Sequence, residues 1–355
     1  MVSREGRLYA VWAARWLRAI LALSTLLASS LLEPGAAHSQ TAAPELVAPE
    51  IVGSARRDAP MSLSAKLESA LGQGSFVADE YARNTLFAWA ASFAAAYYPL
   101  RGLTLSTFVK LVQELTSSEL DSHRQQLFVS DVQLRARQAL GTIPAIDTRA
   151  AIEARLYLPT SLVSRYETLV AGTQLRFALN RELGPFSLGF LGLFRKNFHR
   201  YQSPVVDGDG DMPPVFVRTG GAEDLRGPSV AIGGNNVSFS MYGLLGLSYA
   251  PIEELILSIY YGLARAYTYD RYERDELTSQ NARTGRGKRD TSSAGFEVAY
   301  RLDQRFTFSL GVMTAASPKS EDNGSFRFPF YDLESTASNL TLFYLDVTMT
   351  QLLGG

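Results

Sequence analysis

The chain has 355 residues, no cysteine and a formal net charge of -1. Without cysteine it cannot be a disulfide-stapled secreted scaffold, and a near-neutral chain lacks the basic surface that nucleic acid selects. Charged residues make up 19% of it, below the usual ~25%, and the mean hydropathy of -0.02 fits apolar and polar residues mixed finely rather than in blocks.

The first segment reads as an export signal. Arg4, Arg7, Arg15 and Arg18 form a basic region, and Ala19 to Leu32 is an apolar run. Pro34-Gly35 breaks that run, and Ala37-His38-Ser39 offers small residues for cleavage. The run is shorter than the ~20 apolar residues of a spanning helix. Residues 1–39 are therefore predicted to be a signal peptide, removed after export by the general secretory route. No cysteine follows, which excludes a lipoprotein, and no later run is long enough for an inner-membrane helix. Residues 40–60 are rich in Ala and Pro without periodicity and are predicted to be a periplasmic linker.

From residue 61 onward the pattern has a period of two. Strand side chains alternate faces, so alternation of apolar and polar residues predicts strands with two different sides. Strands are expected near 61–71, 84–98, 103–115, 126–140, 148–158, 168–180, 185–198, 236–250, 254–268, 291–302, 304–315 and 339–351. The first of these could also be helical. In the second, Phe87, Trp89, Phe93 and Tyr97 share one face and the other is mostly Ala. The last is the clearest: Phe343, Leu345, Val347 and Met349 alternate with Leu342, Tyr344, Asp346, Thr348 and Thr350.

The connections alternate in length. Short ones fall at Pro99–Gly102, Asn180–Pro185, Ala250–Glu253 and Leu302–Gln304, and long ones near 199–235, 269–290 and 316–338. Aromatic residues gather at both strand ends: Tyr97, Tyr98, Tyr249, Tyr300 and Phe306 near short turns, Phe198, Tyr201, Tyr267 and Tyr269 near long loops. Rings prefer the headgroup level, so two girdles are expected. These features predict an all-β chain, a transmembrane antiparallel β-barrel of about twelve strands over 61–355, with short periplasmic turns and long extracellular loops. A soluble barrel also alternates, but with its apolar face inside and a charged exterior. Here the polar face is small and mixed, as a crowded wet lumen requires.

Taking the polar face as the lumen puts Asp131, Gln133, Arg135 and Arg137 on one strand, Arg149, Glu153 and Arg155 on the next, and Gln174 and Arg176 on the third. Three neighbouring strands thus carry five arginines and two carboxylates on one wall. Elsewhere the lumen would hold Lys110, Glu114, Glu297, Arg301 and Asp346. One reading is a pore whose arginines favour anions. The other is a salt-bridge network that fills a narrow barrel, since lumen width grows with strand number.

Two further features bear on chemistry. Asp207, Asp209 and Asp211 alternate with glycine in a long loop, an arrangement that can wrap carboxylate oxygens around calcium. The EF-hand spacing fails because Arg218 stands where a distal Glu is needed; the competing reading is a solvated acidic loop. The loop near 269–290 is dense in both charges, and its Arg and Lys could meet lipopolysaccharide phosphates. For an enzyme, only His123 and His199 remain beyond the signal and the cleavage region, and Asp121 and Ser122 beside His123 make no triad without geometry. No catalytic motif is present, so a hydrolase is the least favoured class.

Over its whole length the chain resembles Gram-negative outer-membrane β-barrel proteins, in its signal, short linker, alternating strands and late terminal strand. It departs from that class at Leu352-Leu353-Gly354-Gly355, where an aromatic ending is common. The resemblance implies outer-membrane lipid and lipopolysaccharide as surroundings, the barrel-assembly machinery as a partner during insertion, and no resident cofactor. The expected function is passive passage of small hydrophilic solutes, anionic ones in particular. The alternative is a closed barrel acting through its extracellular loops.

Overall fold

The computed structural model describes residues 60–72, 87–116, 127–206, 230–231, 235–270, 287–319, 325–330 and 340–353. The signal peptide, the linker apart from Pro60, His123, and the loop aspartates Asp207, Asp209 and Asp211 lie outside the described residues.

The described chain is built from strands β1 (Met61–Gly72), β2 (Phe87–Leu100), β3 (Leu103–Glu114), β4 (Leu127–Val129), β5 (Val132–Ile143), β6 (Thr148–Leu158), β7 (Leu169–Leu183), β8 (Phe186–His199), β9 (Val205–Val206), β10 (Val230–Ala231), β11 (Val237–Ile252), β12 (Leu255–Thr268), β13 (Lys288–Arg301), β14 (Phe306–Ala316) and β15 (Leu340–Leu353). A short helix, α1 (Leu162–Tyr166), lies between β6 and β7. The strands β9 and β10 pair only with each other. The other thirteen form one sheet, and β4 and β5 are two pieces of one strand broken at Ser130-Asp131, so the barrel has twelve. Each pairs antiparallel with its sequence neighbour, and β1 pairs with β15 from Met61↔Leu353 to Gly72↔Leu342. The sheet is closed. The segment at 61–71, ambiguous in sequence, is a strand over its whole length because both neighbours demand its backbone bonds.

Connections separate by length as the sequence predicts. Residues 101–102, 144–147, 184–185, 253–254 and 302–305 form one end of the barrel together with the start of β1 and the end of β15. Gly102 and Gly184 sit in two of the three two-residue turns with φ of 81° and 62°, a region open to glycine at no steric cost. All the long connections meet at the other end. Helix α1, absent from the sequence reading, starts there with Ser161 as its N-cap; Ser161 Oγ accepts from Ser164 N at 3.1 Å.

The faces follow the alternation. Leu67, Leu245, Leu263, Leu310 and Leu345 all point outward and are 49–61% exposed. Water-soluble monomers rarely expose continuous apolar surface beyond about a few hundred Å², whereas a lipid-facing barrel requires such a band. The buried apolar cluster lies inside the ring, formed by Leu191, Leu244, Tyr260, Met313 and Tyr344. No helix among the described residues is long and apolar enough to cross a membrane; the strands do the crossing. Placing a charge on the outer band should unfold the barrel selectively. Leu345→Arg, in mid-β15, is expected to cost about 2–4 kcal/mol, read as a lowered urea midpoint in liposomes, while Thr348→Arg on the inner face of the same strand should cost far less.

Candidate functional site

Strand register brings the predicted arginines onto one inner wall. Arg135 on β5 stands opposite Arg155 on β6, Arg155 opposite Gln174 on β7, and Gln174 opposite Arg195 on β8. One rung away, Arg137 faces Glu153 and Glu153 faces Arg176. Neighbouring like charges repel, so each guanidinium needs something to hold it. Glu153 Oε1 accepts from Arg155 Nε and from Arg176 Nη1, the latter at 3.2 Å. Gln133 Oε1 accepts from Arg135 Nη2 at 2.9 Å and Arg155 Nη1 at 3.3 Å. The guanidinium of Arg135 lies 4.1 Å over the Phe108 ring and that of Arg195 lies 4.1 Å over the Tyr157 ring. Such stacking contributes about 0.5–1 kcal/mol or more when desolvated without neutralising charge. Among the described residues, arginines outnumber carboxylates on this wall, and Glu153 bridges Arg155 and Arg176. Arg176 Nε is buried and finds no partner among the described residues.

Not every residue of the sequence list joins this wall. Arg149 lies at the short-turn rim, where its side chain is 56% exposed and pairs with Glu182 at 2.9 Å. Asp131 sits in the break between β4 and β5 at the long-loop end. It accepts from Ser161 N at 2.9 Å and from the Ser164 hydroxyl, and so ties the start of α1 to the barrel rim. Asp346 is on the other side of the lumen.

That other side is chemically different. Lys66 on β1 contacts Asp346 at 2.6 Å and Glu68 at 3.4 Å, and Lys110 on β3 contacts Glu68 at 3.2 Å. Glu297 on β13 accepts from the Tyr344 hydroxyl at 2.9 Å. Three carboxylates and two ammonium groups thus nearly balance. In the closed ring, β13, β14, β15 and β1 lie opposite β5 to β8, so the lumen has a basic wall facing a latched, nearly neutral one.

Glycines make room for inward tyrosines of β11, β12 and β15. A Cβ on Gly262 would lie 2.4 Å from the Tyr242 hydroxyl, one on Gly295 2.4 Å from that of Tyr260, and one on Gly311 2.3 Å from the Tyr344 ring. Each ring therefore lies against a bare stretch of the neighbouring strand, and Tyr344 is held where it can reach Glu297. Gly311→Ala should push Tyr344 off its seat and break that bond, at a cost of about 1–3 kcal/mol. Denaturant titration should show the loss, and Tyr344→Ala in the same chain should make the added methyl nearly harmless.

The sequence reading missed Lys66 and Glu68 because the first strand was uncertain, although Leu63 and Leu67 alternate with them. It missed Arg195 because Arg195 and Lys196 are adjacent, and alternation alone does not say which turns inward; pairing of Arg195 with Gln174 decides it. The tyrosine seats had no local signal.

At the long-loop end, Glu167 follows α1 and is half-buried. Burial pushes its carboxyl up from an ordinary 4.5 to about 7, the Arg195 guanidinium pulling it down and the Asp131 carboxylate pushing it up. His199 packs edge-on to Tyr269 at 5.7 Å, and neither ring nitrogen has a partner among the described residues. Among the described residues, no group of three or more His, Asp or Glu side chains is arranged to hold a metal ion. Because the folded state holds the Glu167 proton more tightly than the unfolded chain does, stability should fall as pH rises from about 4.5 to about 7. Glu167→Gln should flatten that part of the profile, measured as urea midpoints across the range.

No protein-family model matches the chain, and no curated protein matches it. Solved structures with a similar fold include an outer membrane channel, COG4313, from Pseudomonas putida F1, at 12% identity and a TM-score of 0.47 over 83% of this chain and 96% of that one. The NanC porin is similar at 8% identity and a TM-score of 0.41, over 80% and 98% of the two chains. The KdgM porin is similar at 8% and 0.39, over 81% and 98%. At these identities and scores the likeness bears on neither solute nor mechanism.

Proposed function

We propose that this chain is an outer-membrane channel for small hydrophilic solutes and that it favours anions. The observation that carries the reading is the concentration of guanidinium groups on the β5–β8 wall, where register brings Arg135, Arg137, Arg155, Arg176 and Arg195 onto neighbouring positions around Glu153. Fixed positive charge at a constriction raises the local concentration of anions and lowers that of cations. Stacking on Phe108 and Tyr157 holds two of these groups against the wall without cancelling their charge. An outer-membrane setting, with the short turns in the periplasm, is supported by the apolar outer band, the signal-like first segment and the two classes of connection.

A second reading has its own observation. The inner face from β8 round to β15 carries buried Leu191, Leu244, Tyr260, Met313 and Tyr344, and the lysine–carboxylate latch beside them takes up more of the lumen. A barrel filled in this way would be closed and would act through its long loops.

Purified protein in a planar bilayer separates the two. Steady conductance with an anion-selective reversal potential is the expected result; no conductance supports the closed barrel. Arg135→Glu together with Arg155→Glu should shift the reversal potential towards cations. Unchanged ion preference in that variant would mean that the arginines do not line the path.

A further inference from the structure

The outer surface of the barrel has one sector that does not match its lipid-facing band. By register, Ser292, Ala294, Thr314 and Thr341 point outward, since they share parity with the exposed Phe296, Leu310 and Phe343 on the same strands. They are small and mostly polar, and all four are buried, at 6%, 0%, 2% and 0% exposure. Lipid-facing hydroxyls would lack partners in hydrocarbon, where each unsatisfied polar group is costly. Here the connection between β14 and β15 supplies one. Thr314 Oγ1 donates to the Phe330 carbonyl at 2.8 Å and lies 3.0 Å from Thr341 Oγ1. The described segment 325–330 thus lies against the outside of the wall.

The same strap carries two exposed rings. Phe326 is 78% and Phe328 67% exposed, and Phe328 lies 5.8 Å from Phe330. Their backbone is braced, because Lys319 and Phe326 form an antiparallel bridge and Arg327 N donates to the Pro318 carbonyl at 3.1 Å. The Lys319 ammonium lies 5.9 Å from the centre of the Phe326 ring. Depth can be judged from the neighbouring strands. An outward-facing Arg265–Asp290 pair, 2.6 Å apart and half-exposed, belongs at headgroup level, since paired charges are out of place in hydrocarbon. Asp290 lies four residues before Ala294 on β13, and Ala294 is the register partner of Thr314. The strap therefore touches the wall deeper than the charged pair, at the boundary of headgroups and acyl chains.

We infer that the segment 325–330 is a lipid-seated strap: Phe326 and Phe328 insert into the acyl boundary of the bilayer leaflet at the long-loop end, with Lys319 placed towards its phosphates. Aromatic rings favour that depth, and the strap's other side covers the polar sector of the wall. The inference rests on the barrel spanning a membrane and not on whether its lumen conducts.

Tryptophan fluorescence tests it. Trp12→Phe, Trp16→Phe and Trp89→Phe together remove the three tryptophans of the chain, and Phe326→Trp or Phe328→Trp then reports from the strap alone. The full chain is placed in phosphatidylcholine vesicles with bromine either near the headgroup end of the acyl chains or near their middle, and aqueous iodide is the counter-probe. The expected result is strong quenching by the shallow bromine, weaker quenching by the deep one and little by iodide. Quenching by iodide as for free tryptophan, with none by either bromolipid, would overturn the inference. Protection from all three would also overturn it, by assigning the rings to a contact with a second copy. The two positions are separate variants, so failure of one to fold leaves the other to decide.

Discussion

Closure of the hydrogen-bond ladder is the constraint on which everything else depends. A strand in hydrocarbon has no water to satisfy its backbone, so every N–H and C=O must find another strand. The pairing of β1 with β15 removes the last two edges. It also fixes the interior. Once the ring is closed, the outward parity of each strand is set by its lipid-facing residues, and the alternate residues have nowhere to go but the lumen. Lys66 and Asp346 meet because β1 and β15 are the closing pair, although they lie at opposite ends of the chain.

The interior that results is asymmetric in chemistry. On β5 to β8 long cationic side chains are held by a shared carboxylate, amides and ring faces. On β13 to β1 the charges pair off, and tyrosines lie on glycines. The two solutions answer one problem, that polar groups in a confined space need partners. They answer it differently: among the described residues, arginines outnumber carboxylates on one wall, while lysines and carboxylates nearly balance on the other. The outer surface solves a related problem at Thr314, whose hydroxyl is satisfied by a loop carbonyl instead of by lumen water.

Much of this was legible in the chain itself. The period of two in β15 and in most other strands gave the barrel, and the placement of Gly102 and Gly184 is in keeping with the short turns. The cluster of Arg135, Arg137, Arg155 and Arg176 on neighbouring strands followed from the same parity. Other parts were not legible for identifiable reasons. The break at Ser130-Asp131 and the helix it anchors depend on Ser161 and Ser164, some thirty residues on. Arg195 and Lys196 compete for one inward position, and only their partners on β7 and β11 assign them. Each glycine seat joins residues that no local spacing relates.

For most strands the sequence by itself determined which residues face outward and which face the lumen, because parity within a strand is a local property of the backbone. Tertiary structure alone decided which lumen residues meet, because that depends on cross-strand register and on closure, both of which are set by distant partners. Hence Asp346 could be read as inward, and apart from the three arginine strands, from the sequence, but its seat beside Lys66 appeared only when the ring was complete.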